Sequence, residues 1–156
     1  MNTITFAGNL TEDPELRFTP SGTPVANLRV AVNRRVKQNN GEWVDATPTF
    51  HNIKVWGRQA ENLAESLFRG DRALVHGQIE TESWADKDTG ELRTKDVVVI
   101  SDRYGEIGPS IRYATARPEK VSRKSPTGAE VAGDQDEPDN VRHLATTGPK
   151  PTEPPF

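Results

Sequence analysis

At 156 residues, with 20 Lys+Arg against 23 Asp+Glu and no cysteine, the chain is sized for one domain with its own core and has a formal net charge of −3. The absence of cysteine excludes a disulfide framework, a thiol nucleophile and a Cys-based zinc site, and the acidic balance lacks the basic footprint usual in nucleic-acid binders. No apolar run approaches the ~18 residues of a membrane span, and Met1-Asn2-Thr3-Ile4 lacks the basic and apolar start of a secretory signal, so a cytoplasmic protein is expected.

Ile4, Phe6, Gly8 and Leu10 alternate with Thr3, Thr5, Ala7 and Asn9, which predicts a half-buried first strand. Leu16 and Phe18 continue it beyond a bend at Asp13-Pro14, since proline is tolerated only at a strand edge or break. After a turn at Ser21-Gly22, Ala26, Leu28, Val30 and Val32 predict a second strand. A polar, partly basic loop then runs from Arg34 to Gly41, with Asn40-Gly41 at its tip.

The third strand, Phe50–Trp56, separates into two unlike faces. His51, Ile53 and Val55 suit a core, whereas Phe50, Asn52, Lys54 and Trp56 point the other way. Two large rings with a cation between them are what a single strand of nucleic acid needs: flat plates for bases and a positive charge for phosphates. The alternative is a strand buried on both faces, with Lys54 snorkelling to the edge.

Gly57 ends that strand, and the period changes. Ala60, Leu63, Ala64, Leu67 and Phe68 form one apolar helical stripe, and Gly70 suits the left-handed cap beyond it. Two further strands, roughly Arg72–Trp84 and Arg93–Arg103, are joined by a hairpin loop at Asp86-Lys87-Asp88-Thr89-Gly90. An all-β chain with one short helix between the third and fourth of five strands has the layout of an OB-fold, a small barrel that binds oligonucleotides across strands two and three. The basic loop after strand two and the rings of strand three then share one face. From Ala114 onward Pro, Gly, Ser, Thr and charge take over, which predicts a disordered tail over 114–156 behind a folded domain over 1–113.

The chain resembles the bacterial single-stranded DNA-binding proteins (SSB). The likeness is carried by Gly8-Asn9-Leu10, Asp13-Pro14-Glu15-Leu16-Arg17, Val25-Ala26-Asn27-Leu28, Phe50-His51, Trp56-Gly57-Arg58, Ala60-Glu61, Gly77-Gln78-Ile79 and Trp84. It covers about residues 1–113. The run Glu106–Ala116 is similar to the actinobacterial branch, where it adds a hooked strand that clamps subunits together. The resemblance implies a homotetramer that binds and protects single-stranded DNA in replication, recombination and repair, associated with the nucleoid and needing no cofactor. Position by position it implies stacking rings at Phe50, Trp56 and Trp84 and phosphate contacts at Lys54, Arg58 and Arg69. Arg34, Arg35 and Lys37 are further candidate contacts, with a solvated charge run as the alternative. Trp43 is a further stacking candidate.

Two departures from the family stand out. Glu80 and Glu82 occupy strand-four positions that other members often fill with basic residues. The chain ends in Pro154-Pro155-Phe156, the family's partner-docking tip, with only Glu153 acidic beside it, which fits a second copy of narrower role as well as an inert terminus.

Two other classes stay open. A nuclease needs acidic residues clustered on metal ions, but the acids here are spread along the chain, and His51, His76 and His143 are too scattered for a metal site. An OB-fold assembly module with weak DNA affinity is the remaining alternative.

Overall fold

A sheet that closes on itself holds the molecule together. The computed structural model describes residues 2–122, so Pro154, Pro155 and Phe156 and the expected tail from Arg123 on lie outside the described residues. In chain order the elements are β1 (Thr3–Leu10), β2 (Glu15–Phe18), β3 (Pro24–Lys37), β4 (Trp43–Trp56), α1 (Arg58–Ser66), β5 (Arg72–Ala85), β6 (Leu92–Ile100) and β7 (Glu106–Pro109). Pairing runs β1 to β3, β3 to β4, β4 to β6 in parallel, β6 to β5, and β5 back to β1. Five strands therefore form the ring of an all-β OB-fold, with β7 added on the edge of β5. The compact unit spans Met1–Pro118. The described residues after it, 119–122, form neither helix nor strand.

The alternations seen in the sequence build the interior. Leu28 and Val30 from β3, Ile53 and Val55 from β4, Val75 from β5, and Val98 and Ile100 from β6 are buried together. Ala60, Leu63 and Leu67 from the helical segment join the same core. Each fully buried Val or Ile contributes about 1.5–3 kcal/mol relative to exposure, which makes the inward register of every strand strongly specified. Gly57, at φ 74°, turns β4 into α1, and a Cβ there would meet the Asp102 carboxylate at 2.1 Å.

Four expectations are corrected. The continuation after Pro14 is a separate strand, β2, although it follows β1 along the same edge of β3. The basic loop is shorter than expected, because Arg34, Arg35 and Lys37 lie on β3 and pair with Ala46, Asp45 and Trp43. Ladder hydrogen bonds hold this ribbon where there is no core to show as alternation. The helix ends at Ser66, so Phe68 is exposed rather than part of the buried stripe. Gly70, at φ 91°, lies in the following turn, and its N–H donates to the Leu10 carbonyl. Finally, β6 stops at Ile100, where a Ser101–Tyr104 bridge turns the chain toward β7.

Candidate nucleic-acid interface

The expected division of strand β4 is present. Ile53 and Val55 are 1% and 0% exposed, while Phe50 on the opposite face is 44% exposed. This excludes a strand buried on both faces. The outward positions continue across the sheet in register. One row reads Arg29, Asn52, Val97 and Glu80 over β3, β4, β6 and β5, and the next reads Asn27, Lys54, Val99 and Gln78. Trp56 stands opposite Val25, Phe50 opposite Ala31, and Trp84 opposite Arg93. By alternation Glu80, Glu82 and Trp84 all face outward from β5, and Trp84 is 46% exposed.

Trp43 reaches this face by a local irregularity. Between Val32↔Thr49 and Arg34↔Ala46, β3 advances two residues and β4 three, which places an extra residue in β4 at Thr47-Pro48. Such a bulge reverses the parity of the strand, and proline is at home there because it has no ladder donor to lose. Without the bulge, Trp43 and Asp45 would share the side of His51. With it, they pair with Lys37 and Arg35 on the side of Phe50 and Trp56, leaving Val36 and Val44 opposite. Pro48 is the sequence signal for this bulge.

Charge on the face is largely pre-paired. The Lys54 ammonium makes an ion pair with the Glu82 carboxylate, Arg35 pairs with Asp45 at 3.3 Å, and Arg93 pairs with Asp86 at 2.6 Å. The Arg35 guanidinium also donates to the Trp43 carbonyl at 3.2 Å. Arg29 lies over the Phe50 ring at 4.4 Å, a cation–π contact that supports one stacking plate from β3. Arg29 was missed in the sequence because its neighbour on β4 depends on cross-strand register.

Two sequence-predicted phosphate contacts lie elsewhere. Arg58 opens α1 and lines a groove of about 730 Å³ with Thr5, Leu74, His76 and Glu106. Arg69 sits in the turn after the helix, where its backbone N–H donates to Asp13 Oδ1 at 2.8 Å. By parity Phe50, Lys54, Trp56, Trp84, Arg35, Lys37 and Trp43 share one face and Arg34, opposite Ala46, lies on the other side of the same ribbon, while Arg58 is on α1 and Arg69 in the turn after it.

The two described histidines are structural. His51 stacks on Phe6 with ring centroids 4.2 Å apart, and burial lowers its pKa below the usual value. His76 is satisfied at both nitrogens, by the Thr5 hydroxyl at 2.7 Å and the Tyr104 hydroxyl at 3.1 Å.

The chain is similar to known proteins in sequence and in fold. The model of the Single-strand binding protein family matches residues 1–104. The Single-stranded DNA-binding protein of Mycobacterium tuberculosis is 48% identical over 128 residues, 81% of this chain and 75% of that one. Its counterpart in Paenarthrobacter nicotinovorans is 39% identical over 170 residues, covering 99% and 97% of the two chains. Among solved structures, a Plasmodium falciparum SSB complex with ssDNA superposes with a TM-score of 0.61 at 22% identity, over 69% of this chain and 92% of that one. That likeness shows the shared fold.

Proposed function

The chain belongs to the single-strand binding protein family, and from that premise we propose that it binds and protects single-stranded DNA with little sequence preference. The observation that carries this reading is the outer face of β3, β4, β6 and β5, where Phe50 stays exposed on a sheet whose other face is a closed core, and Trp43 and Trp84 stay exposed on the ribbons that extend it. Exposed rings offer a π-face to any base, and each base–aromatic stack is worth about 1–3 kcal/mol. Trp56, Lys54, Arg35 and Lys37 complete the face, Arg34 lies along the same ribbon, and Arg58 and Arg69 are reached only if the strand continues around the barrel.

The protein binds rather than transforms DNA, serving replication, recombination and repair in the cytoplasm beside the nucleoid. It works as a homotetramer. The exposed patch of β1, β5 and β7, where Leu74 is 54% exposed, supports assembly through that side. The tip Pro154-Pro155-Phe156 recruits repair and replication proteins by placing a terminal ring in an apolar pocket.

A second reading, an assembly module with weak DNA affinity, is favoured by the carboxylates that pre-pair Lys54, Arg35 and Arg93. One titration separates the two. Oligo-dT should quench the tryptophan fluorescence in a saturable way and remain intact with magnesium present. Unquenched fluorescence would support the assembly module, and cleavage would overturn the non-enzymatic reading.

A further inference from the structure

The Lys54–Glu82 ion pair stands apart from the others. It is the one ion pair among the described residues in which both side chains are less than half exposed, at 24% and 39%. It is also not a neighbour contact. Lys54 lies in the row of Val99 and Gln78, whereas Glu82 is in register with Lys95, so the two side chains meet diagonally across the intervening strand β6. Val97 of β6, outward by alternation, is nonetheless only 3% exposed. Lys54, Glu82, Lys95 and Val97 line an open groove of about 390 Å³ whose other charged walls are Arg29, Glu12 and Glu15. Glu82 therefore stands where a phosphate would have to stand to use Lys54.

We propose that Glu82 is a specificity-determining residue of this face, holding Lys54 so that a phosphate backbone alone cannot claim it. The proposal rests on the single-strand-binding reading above. A phosphate that takes Lys54 must break the ion pair and then face the released carboxylate. A single strand offsets that loss because its unstacked bases can lie on Phe50, Trp56 and Trp84. A duplex keeps its bases stacked internally and offers only phosphates. Glu82 thus weighs more heavily on a duplex, whose rigid backbone cannot swing its phosphates clear of the carboxylate, than on a flexible single strand anchored by its bases. Glu80, one outward position away and opposite Val97, has no ion-pair partner among the described residues, and it provides a control of equal charge.

The test titrates the full-length protein, wild type and the variants Glu82→Gln, Glu80→Gln and Lys54→Gln/Glu82→Gln, against oligo-dT and a blunt duplex of equal length. Glu82→Gln should raise duplex affinity about five-fold, the equivalent of an exposed ion pair near 1 kcal/mol. Its gain on oligo-dT should be smaller, because a strand held by its bases already keeps most of its phosphates clear of Glu82. The salt dependence of oligo-dT binding should steepen by about 0.7, one additional phosphate neutralised on a single strand. The double variant should return to the wild-type slope, and Glu80→Gln, which releases no cation, should raise affinity for both ligands alike and leave the slope as in wild type. Equal effects of Glu80→Gln and Glu82→Gln, or an unchanged duplex affinity in Glu82→Gln, overturn the role of Glu82 while leaving DNA binding intact. A wild type that fails to bind oligo-dT overturns the underlying reading instead. Should Glu82→Gln melt early, Glu82→Ala carries the same test.

Discussion

The two halves of strand β5 make different surfaces from one run of residues. From Arg72 to Gln78 the strand is flanked by β1, and over Ala73–His76 by β7 on the other edge as well. Its outward residues there are Arg72, Leu74, the hydrogen-bonded His76 and Gln78. Beyond Gln78 it pairs with β6 alone and carries Glu80, Glu82 and Trp84 outward. A broad patch with one exposed aliphatic side chain suits another protein surface. An outlying ribbon with rings and charge suits a flexible strand that must be gripped along its length. The difference lies in how many strands flank each half, since alternation places outward residues on both.

The largest expected effect comes from disturbing the seam between the halves. Gly77 faces inward, and a Cβ there would lie 2.7 Å from Val98 Cγ1 and 2.9 Å from the Val99 carbonyl oxygen. Because one of these contacts is backbone, Gly77→Val should cost about 3 kcal/mol of folding stability, the upper end of the usual overpacking penalty. Chemical denaturation measures it directly. A midpoint equal to wild type would show that the two halves are not coupled through the core.

Next comes the broad half. Leu74→Glu places a charge where the exposed leucine is proposed to meet another subunit, and the lost burial is worth about 2–3 kcal/mol per contact. Light scattering should report a smaller assembly, with the fluorescence quench per chain retained at saturating oligo-dT. An unchanged mass would move the subunit contact to another surface.

The ring-bearing face, which β4 shares with the ribbon half of β5, answers to a different change. Trp56→Ala should weaken DNA binding by about 1–3 kcal/mol, similarly on oligo-dT and on mixed sequence, because stacking tolerates any base. Stability should change little by comparison. A variant that melts early yet binds normally when folded would assign Trp56 to packing and undo the contrast.

What the sequence made legible follows the same division. Inward positions repeat with period two over several strands, so Val30, Ile53 and Val55 could be placed in the core before any pairing was known. The outward rings on β4 could be read for the same reason. Arg29 over Phe50 and Glu82 on Lys54 could not, because each depends on which residues of different strands come into register. Trp43 was a candidate whose face was hidden by the bulge at Thr47-Pro48. Arg58 and Arg69 carried the family's pattern, but residue types alone do not show that one opens α1 and the other sits in the turn after it, off the strands that carry the rings.

The smallest expected effect separates the two histidines. His51 is partly buried against Phe6, and desolvation lowers its pKa, so the folded protein favours the neutral ring. In the unfolded chain the ring titrates near its usual value of about 6.5. Above that pH both states carry a neutral His51, and its stabilising contribution is fully present. As the pH falls through 6.5 the unfolded state takes up a proton first, so stability declines until the pH passes below the lowered folded value. The decline should be small, because the ring is only partly removed from water. Denaturation midpoints measured between about pH 8 and pH 5 should therefore drop less in His51→Gln than in wild type, over the window this residue governs. If both proteins show the same pH dependence, the decline belongs to other groups, and the Phe6–His51 stack contributes packing without a protonation penalty.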